Sequence, residues 1–314
     1  MELRIITFLL LILVNVVSCQ TQDENVVVGM SEVIDEPSEK PNINMGQLVE
    51  VHDDDDDLDF LPKTMNYVKE QSLKGANSSP YGYVIRKPES FGQDGKKYPI
   101  LIYLHGVGSR GNSNNNPNDL SKVDKDGAIR AIKLGMWNPK VAMPVIAPQT
   151  NTNWKPSDVK SFIDYVAETY KTAVNVDRIY LAGFSMGGFG VWSYLDFYGY
   201  EDSMLAAVVS MAGAGENSGE NIEALKYMPF WVFHGTKDPT VSYTRSLGVV
   251  SKFRSTYNLQ KHQKLTLFDQ DDFEGQYHRI DHGVFDRTFW NKNTSGDIFN
   301  VDVMNWLLQY KREN

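Results

Sequence analysis

The pentapeptide GFSMG at residues 183–187 constrains this chain more than any other stretch of its sequence. It follows the apolar run 178–182 and leads into residues 188–192, an order typical of a strand, a sharp turn and a helix. Glycines on both sides of Ser185 permit the strained turn that lifts a serine hydroxyl above the edge of a sheet. The first amides of the next helix would then point at a developing negative charge. The pattern predicts a nucleophile elbow with Ser185 as the nucleophile.

Residues 99–111 (PILIYLHGVGSRG) predict a buried strand that ends in a glycine-rich turn. In folds that use a nucleophile elbow, one oxyanion-binding amide follows the nucleophile and the other lies on the loop after the third strand. We therefore assign these two amides to Met186 and Val107.

The same turn also fits a dinucleotide-binding fingerprint, Gly106-x-Gly108-x-x-Gly111. That fingerprint requires a helix to begin directly after it. Residues 112–118 are rich in asparagine and contain a proline, which favours a loop over a helix. We therefore prefer the oxyanion interpretation.

Residues 229–238 (PFWVFHGTKD) predict another buried strand, which runs into a glycine turn and then into Asp238. The acid of a catalytic triad lies on such a loop after a late strand, where its carboxylate holds an imidazole in one tautomer. The pair Asp238-Pro239 is also typical of an ordinary surface turn. Its place at a strand end, between Ser185 and the last histidines, favours Asp238 as the acid.

The chain has six histidines, and only His278 and His282 come late enough for the order serine, acid, histidine. His282 is followed by glycine and an aromatic residue on an expected loop before the last helix, so we prefer His282 over His278 as the base. The two histidines could instead bind a metal with Asp271, Asp272 or Asp281. No glutamate lies inside the pair, and the triad already accounts for one histidine, so we expect neither a metal nor an organic cofactor.

Six blocks in the right order make the chain from Tyr81 to Arg312 similar to the α/β-hydrolase superfamily. More narrowly, it resembles the bacterial branch of dienelactone-hydrolase-like, polyhydroxybutyrate-depolymerase-like and feruloyl-esterase-like proteins, which includes predicted peptidases. The blocks are LHGVGSRG at 104–111, APQ at 147–149 with Trp154, VDRIYLAGFSMGGFGVW at 176–192, FHGTKDPTV at 233–241, HGVFDRTF at 282–289 and WLLQYKR at 306–312.

The resemblance implies an α/β class protein with the α/β-hydrolase fold, a mostly parallel central sheet with helices on both faces. It implies the following site: Ser185 as nucleophile, Asp238 as acid, His282 as base, and the amides of Val107 and Met186 as oxyanion donors. It also implies that the substrate pocket includes His105, Gln149 and Trp154. The family usually has a tryptophan shortly after the catalytic histidine, where this chain has Phe285, so the expected pocket has a different shape.

The pattern of apolar segments agrees with that fold. Helical stretches separate most of the predicted strands, which predicts a parallel sheet covered on both faces. The clearest helix is Ser157 to Ala173, and the last helix is expected near Phe299 to Tyr310. Alternation at residues 81–85 predicts an antiparallel hairpin at the start of the sheet. The strand-like runs are 100–104, 145–147, 179–182, 207–211, 230–233 and 264–268.

The apolar run at residues 3–17 is too short and wrongly flanked to span a membrane, but it is typical of a secretory signal. It ends in Val-Val-Ser-Cys, which resembles the lipobox of bacterial lipoproteins. Cys19 is the only cysteine of the chain, and acylation explains an unpaired thiol in an exported protein better than chance does. We therefore expect a lipoprotein signal peptide at 1–18 and lipidation at Cys19. A plain signal peptide is the alternative.

From Gln20 to Leu61 the chain has thirteen acidic residues and one lysine. Such a segment cannot bury enough apolar surface to offset the entropy of ordering it, so we expect a disordered tether at 19–61. The catalytic domain is expected at 62–314. Because the tether carries more than the whole net charge of −9, the acidity of the chain says little about its substrate.

These features predict an exported serine hydrolase that cleaves carboxylic esters and is lipid-anchored to the bacterial outer membrane, facing outward. The expected partners are that membrane and an ester substrate, either small or derived from acetylated or feruloylated glycans. No nucleic acid is expected, and the oligomeric state stays open. The alternatives are a serine peptidase of the prolyl-oligopeptidase type and a non-catalytic glycan-binding lipoprotein. The complete set of nucleophile, acid, base and glycine turns argues against the last alternative.

Overall fold

The apolar runs that the sequence marks as strands form one continuous sheet. The computed structural model describes residues 56–63, 66–215, 218–257, 262–269, 277–290, 292 and 294–312. All six predicted strand runs lie inside strands of this sheet. Within the described residues it has nine strands: β1 (Tyr67–Ser72), β2 (Gly82–Pro88), β3 (Tyr98–Leu104), β4 (Val145–Gln149), β5 (Val174–Phe184), β6 (Ala207–Met211), β7 (Phe230–Gly235), β8 (Gln263–Phe268) and β9 (Thr294–Gly296).

The strands are ordered β1-β2-β4-β3-β5-β6-β7-β8-β9. From β4 to β8 all neighbours are parallel. At the two ends the direction reverses, because β2 is antiparallel to β1 and β4, and β9 is antiparallel to β8. The predicted antiparallel start and the predicted mostly parallel sheet are both confirmed. Ligands of such sheets collect where the parallel strands end.

Helices cover both faces of the sheet. The predicted helix Ser157 to Ala173 is observed one residue earlier at its start and four residues shorter at its end. It buries Val159, Phe162, Ile163 and Val166, as its spacing indicates. The helices are α1 (Asp56–Asp59), α2 (Leu120–Val123), α3 (Gly127–Lys133), α4 (Pro156–Thr169), α5 (Met186–Tyr198), α6 (Tyr243–Tyr257), α7 (Asp281–Phe285) and α8 (Val303–Leu307).

The last helix is shorter than the sequence predicts. We expected a helix near Phe299 to Tyr310, but α8 begins after Asp302. The carboxylate of Asp302 accepts hydrogen bonds from the amides of Met304 and Asn305, so it caps the helix and fixes where it begins.

The predicted tether is wrong at its C-terminal end. Asp57 forms a two-pronged ion pair with Arg178, whose guanidinium is fully buried, with both N···O distances at 2.9 Å. Leu58 and Leu61 are also buried. Composition alone predicts a solvated segment here, but a buried cation on β5 needs an anion, and Asp57 supplies it. Residues 56–61 therefore belong to the folded domain.

The predicted signal peptide at 1–18, Cys19 and the tether up to residue 55 lie outside the described residues. In the described part of the chain, none of the helices combines the length and the apolar character that crossing a bilayer requires.

Candidate catalytic site

Ser185 lies on a strained turn between β5 and α5. Its backbone has φ 52° and ψ −118°, a conformation that non-glycine residues rarely adopt. A Cβ atom on Gly183 would lie 2.2 Å from the carbonyl oxygen of Gly187, and one on Gly187 would lie 2.0 Å from that of Leu104. Both positions therefore require glycine. The predicted strand, sharp turn and helix are all present.

The two expected oxyanion donors, Met186 and Val107, are each the first residue of a helical element. Met186 is the first residue of α5, so its amide has no acceptor within the helix. Val107 opens a short 3-10 turn, Val107–Ser109, directly after β3. Because Gly187 packs against the last carbonyl of β3, this turn lies next to the elbow. Arg110 connects this turn to the elbow, since its Nε donates to the Met186 sulfur at 3.1 Å.

Asp238 follows β7 and has a fully buried carboxylate. Its Oδ1 accepts hydrogen bonds from the amides of Thr240 at 2.8 Å and Val241 at 3.0 Å. Burial by itself raises the pKa of this carboxyl. Hydrogen bonds from His234, His278 and the two amides outweigh it, and together they hold the pKa of Asp238 well below its usual value. Asp238 is therefore an anion at neutral pH.

His278, and not His282, lies between the serine and the acid. The Nε2 atom of His278 is 2.9 Å from the Ser185 hydroxyl oxygen, and its Nδ1 is 2.7 Å from Asp238 Oδ2. The Asp238 anion requires a hydrogen on Nδ1, which leaves the Nε2 lone pair free to accept the serine proton. The structure thus forms a Ser185, His278, Asp238 triad.

Our choice of His282 as the base was wrong, because this residue lies in α7 and faces a different part of the molecule. Its Nε2 is 3.1 Å from the carbonyl oxygen of Lys125 and 3.1 Å from Arg279 Nε. The glycine and the aromatic residue that suggested His282 have structural roles instead. A Cβ on Gly283 would lie 2.4 Å from the Phe289 ring, and Phe285 is fully buried in the core.

The contact that distinguishes His278 from His282 is visible in the structure and not in the sequence. The ring of Phe184, the second residue of the GFSMG pentapeptide, packs against the His278 ring at 5.0 Å between centroids. Phe184 is largely buried, so this contact holds the imidazole beside the serine. The sequence shows an aromatic residue before the serine but does not say which histidine packs on it.

The three expected pocket residues are buried, so the prediction that they line the pocket was wrong. Their contacts lie next to the turn Val107–Ser109. Their exposures are 0% for His105, 2% for Gln149 and 4% for Trp154. The Trp154 indole donates to the His105 carbonyl oxygen at 3.1 Å. The Gln149 amide donates to the carbonyl oxygens of Ser109 at 3.0 Å and Asp119 at 2.7 Å. Burial lowers the pKa of His105 to about 4, so its ring is neutral.

A group of possible metal ligands in the described part of the chain consists of Asp126, Asp281 and His282. The guanidinium of Arg279 lies among them, in contact with Asp126 and with Nε 3.6 Å from Asp281 Oδ1. A permanent cation therefore already pairs with both carboxylates. In the alternative metal site, both ring nitrogens of His278 are engaged in the triad. Asp271 and Asp272 of that alternative lie outside the described residues.

Comparisons with known proteins agree with this architecture. Residues 93–225 match a family model described as an alpha/beta hydrolase of unknown function (DUF915). The bifunctional acetylxylan esterase/xylanase XynS20E of Neocallimastix patriciarum is 23% identical over 208 residues, which are 62% of this chain and 26% of that protein. Esterase MT1326 of Mycobacterium tuberculosis (strain CDC 1551 / Oshkosh) is 25% identical over 153 residues, which are 44% of this chain and 30% of that protein. The chain thus spans less than a third of either relative.

Among solved structures, a thermostable esterase matches with a TM-score of 0.56 and 23% identity, over 78% of this chain and 63% of that chain. At this level of identity the likeness concerns the fold. Together with the strand order, the strained serine turn and the family match, it identifies the chain as a protein of the α/β-hydrolase fold.

Proposed function

We propose that this protein is a serine hydrolase that cleaves carboxylic esters by acyl transfer. The observation that carries the proposal is the geometry of His278, with one ring nitrogen 2.9 Å from the Ser185 hydroxyl and the other 2.7 Å from Asp238. Nucleophile, base and acid are within hydrogen-bond reach of one another before any substrate is present.

In the first half of the reaction, Ser185 Oγ attacks the ester carbonyl carbon while His278 Nε2 takes the serine proton. The carbonyl oxygen becomes an oxyanion, which the amides of Val107 and Met186 bind. Each such donor contributes about 3 kcal/mol to transition-state stabilisation. The intermediate collapses, the C–O bond to the alcohol breaks, and His278 gives its proton to the leaving alcohol. An acyl group then remains on Ser185.

In the second half, His278 takes a proton from water, which attacks the acyl carbon. Collapse of the second intermediate releases the acid and returns the proton to Ser185. Throughout, Asp238 holds the ring of His278 in the productive tautomer and stabilises the imidazolium when it forms. This mechanism uses only groups of the chain and one water molecule.

The choice of an ester over an amide rests on the relatives, whose names describe an acetylxylan esterase and an esterase. We propose esters derived from extracellular polymers, such as acetylated or feruloylated glycans, as the substrate class. The sequence of the N-terminus is the further support, since an exported lipoprotein meets polymers outside the cell.

We propose that Cys19 carries the lipid and that the outer membrane holds the protein. A peptidase and a non-catalytic glycan-binding protein are the competing functions.

A substrate panel distinguishes these functions. The purified protein and the Ser185→Ala variant are assayed on p-nitrophenyl acyl esters, acetylated xylan, methyl ferulate and chromogenic peptides. We expect ester hydrolysis that the variant lacks. Cleavage of peptides with no ester cleavage would replace the proposal by the peptidase. Glycan binding without any turnover would replace it by the binding protein.

A further inference from the structure

His234 lies beside the acid of the triad but takes no part in the steps described above. It is the second-last residue of β7, and its side chain is fully buried. Its Nε2 is 2.9 Å from the Val241 carbonyl oxygen and 3.2 Å from Asp238 Oδ2. Since Oδ2 also accepts the hydrogen bond of His278, one carboxylate oxygen lies between two imidazole rings.

The surroundings of His234 determine which ring nitrogen carries the hydrogen. Both neighbours of Nε2 are hydrogen-bond acceptors, so Nε2 must be the donor. On the other side of the ring, Nδ1 is 2.7 Å from the hydroxyl oxygen of Ser246, a fully buried residue of α6. In the neutral ring Nδ1 is an acceptor, and the Ser246 hydroxyl donates to it. Ser246 therefore stabilises the tautomer in which His234 donates toward Asp238.

We propose that His234 is a positioning residue of the triad, which holds Oδ2 of Asp238 in place and tunes how strongly this oxygen binds His278. The inference rests on the proposed function, because it concerns the same site. It extends the hydrogen-bonded path to five side chains, from α6 to the nucleophile: Ser246, His234, Asp238, His278 and Ser185.

The hydrogen bonds of the carboxylate explain why a second imidazole matters. Backbone amides fix Oδ1, but Oδ2 has only side-chain donors among the described residues. Without His234, Oδ2 loses one of its two donors, so this oxygen and the ring of His278 that it binds are held less precisely. The charge on Oδ2 is also shared between two donors in the native site. With a single donor, the charge on Oδ2 acts on the Nδ1 hydrogen of His278 alone.

Among the described residues, Asp238 is the charged group in contact with the ring of His278. Arg279, the next residue along the chain, has its guanidinium 5.8 Å from the centre of the Phe184 ring that packs against His278. A substitution at His234 leaves Arg279 and Phe184 unchanged. A change in the pH dependence therefore reports on Asp238.

The experiment compares His234→Phe, His234→Gln and Ser246→Ala with a matched control, Thr266→Val. Thr266 is also fully buried, lies on the neighbouring strand β8, and binds Trp231 at 3.0 Å without touching the triad. For each variant, kcat and KM on a p-nitrophenyl ester are measured as a function of pH. Urea denaturation gives the stability. Proton NMR follows the low-field signal of the His278 Nδ1 hydrogen, which requires no substrate.

We expect kcat of His234→Phe to fall about ten- to a hundredfold, the usual effect of losing a hydrogen bond to a charged group. We expect KM to stay within about threefold, since His234 does not reach the substrate. The pH profile of kcat should differ from that of wild type, and the low-field signal should move. Glutamine, whose amide can still donate, should restore most of the rate. Ser246→Ala should change kcat about two- to fivefold in the same direction.

The proposal is overturned if His234→Phe and Ser246→Ala show the kcat, pH dependence and NMR signal of wild type. It is also overturned if Thr266→Val, at an equal loss of stability, shows the same changes. Should His234→Phe not fold, Ser246→Ala decides by the same criteria. If the wild type hydrolyses no ester, the proposed function fails, and the NMR signal still decides whether His234 positions Asp238.

Discussion

The turn that carries Ser185 and the segment that carries His278 are specified in different ways. The turn depends on neighbours in the sequence, because Gly183 and Gly187 leave no room for a side chain and the strain is confined to the serine. The position of His278 depends on partners 40 and 93 residues away, Asp238 and Ser185. A local motif therefore locates a nucleophile, but it does not select between two histidines four residues apart.

The largest expected effect tests the locally specified region. Ser185→Ala should lower kcat by a factor of about 10⁵ or more, because alanine has no nucleophile to form the acyl intermediate. The melting temperature should stay close to that of wild type, since the flanking glycines still form the turn. A fluorophosphonate probe should label the wild type at Ser185. Labelling at any other residue would show that the elbow does not hold the nucleophile.

The pair His278→Ala and His282→Ala tests the region that depends on distant contacts. His278→Ala should lose about a thousandfold in kcat, because the Ser185 hydroxyl then loses the base that takes its proton. His282→Ala should keep at least about a tenth of the rate, since its ring contacts Lys125 and Arg279 and not the triad. Steady-state kinetics of both variants show which histidine is the base. The opposite ranking would restore His282 as the base.

Much of the fold follows from the pattern of apolar segments, because strand runs such as 179–182 and 207–211 are largely apolar, which is typical of strands buried on both faces of a sheet. The acid was also predictable, since Asp238 follows a strand end. The predictions that were wrong share one physical cause. For His282, for the pocket residues and for the end of the tether, the decisive interactions join residues far apart in the sequence, and composition or block similarity does not contain them.

The buried side chain of His105, close to the turn Val107–Ser109, allows a test of how stability depends on pH. Burial lowers the pKa of His105 to about 4 from an ordinary value of 6.5. Between these values the unfolded chain binds the proton and the folded chain does not, so stability falls as pH drops from about 6.5 toward 4. The full effect is about 3 kcal/mol, reached below the lower value. Urea denaturation at several pH values measures it.

The control for this measurement is His105→Gln, which cannot titrate and should lose that pH dependence. Burial raises the pKa of Asp196 to about 6, and this carboxyl has the opposite effect, since stability falls as pH rises from about 4 to 6. Because Asp196 is present in both proteins, the difference between them isolates His105. Equal slopes in the two proteins would show that His105 binds its proton equally well in the folded and the unfolded chain.

The smallest effect concerns the boundary of the folded domain, where a distant contact again outweighs local composition. Asp57→Asn removes the carboxylate that pairs with the buried guanidinium of Arg178. Arg178 keeps its hydrogen bonds to the carbonyl oxygens of Leu308 and Tyr310, so the loss of stability should be limited to about 1–3 kcal/mol. The matched control is Asp59→Asn in the exposed part of the same segment, which should change stability by less than about 0.5 kcal/mol.

Truncated chains test the same boundary of the folded domain. A chain that begins at residue 56 should match the full-length protein in stability and in ester hydrolysis, because it keeps Asp57, Leu58 and Leu61. A chain that begins at residue 62 loses the ion pair with Arg178 and two buried leucines, so its urea midpoint should fall clearly below that of the first. Equal midpoints for the two chains would mean that residues 56–61 contribute nothing to the fold, and the tether would then extend to residue 61 as composition alone indicates.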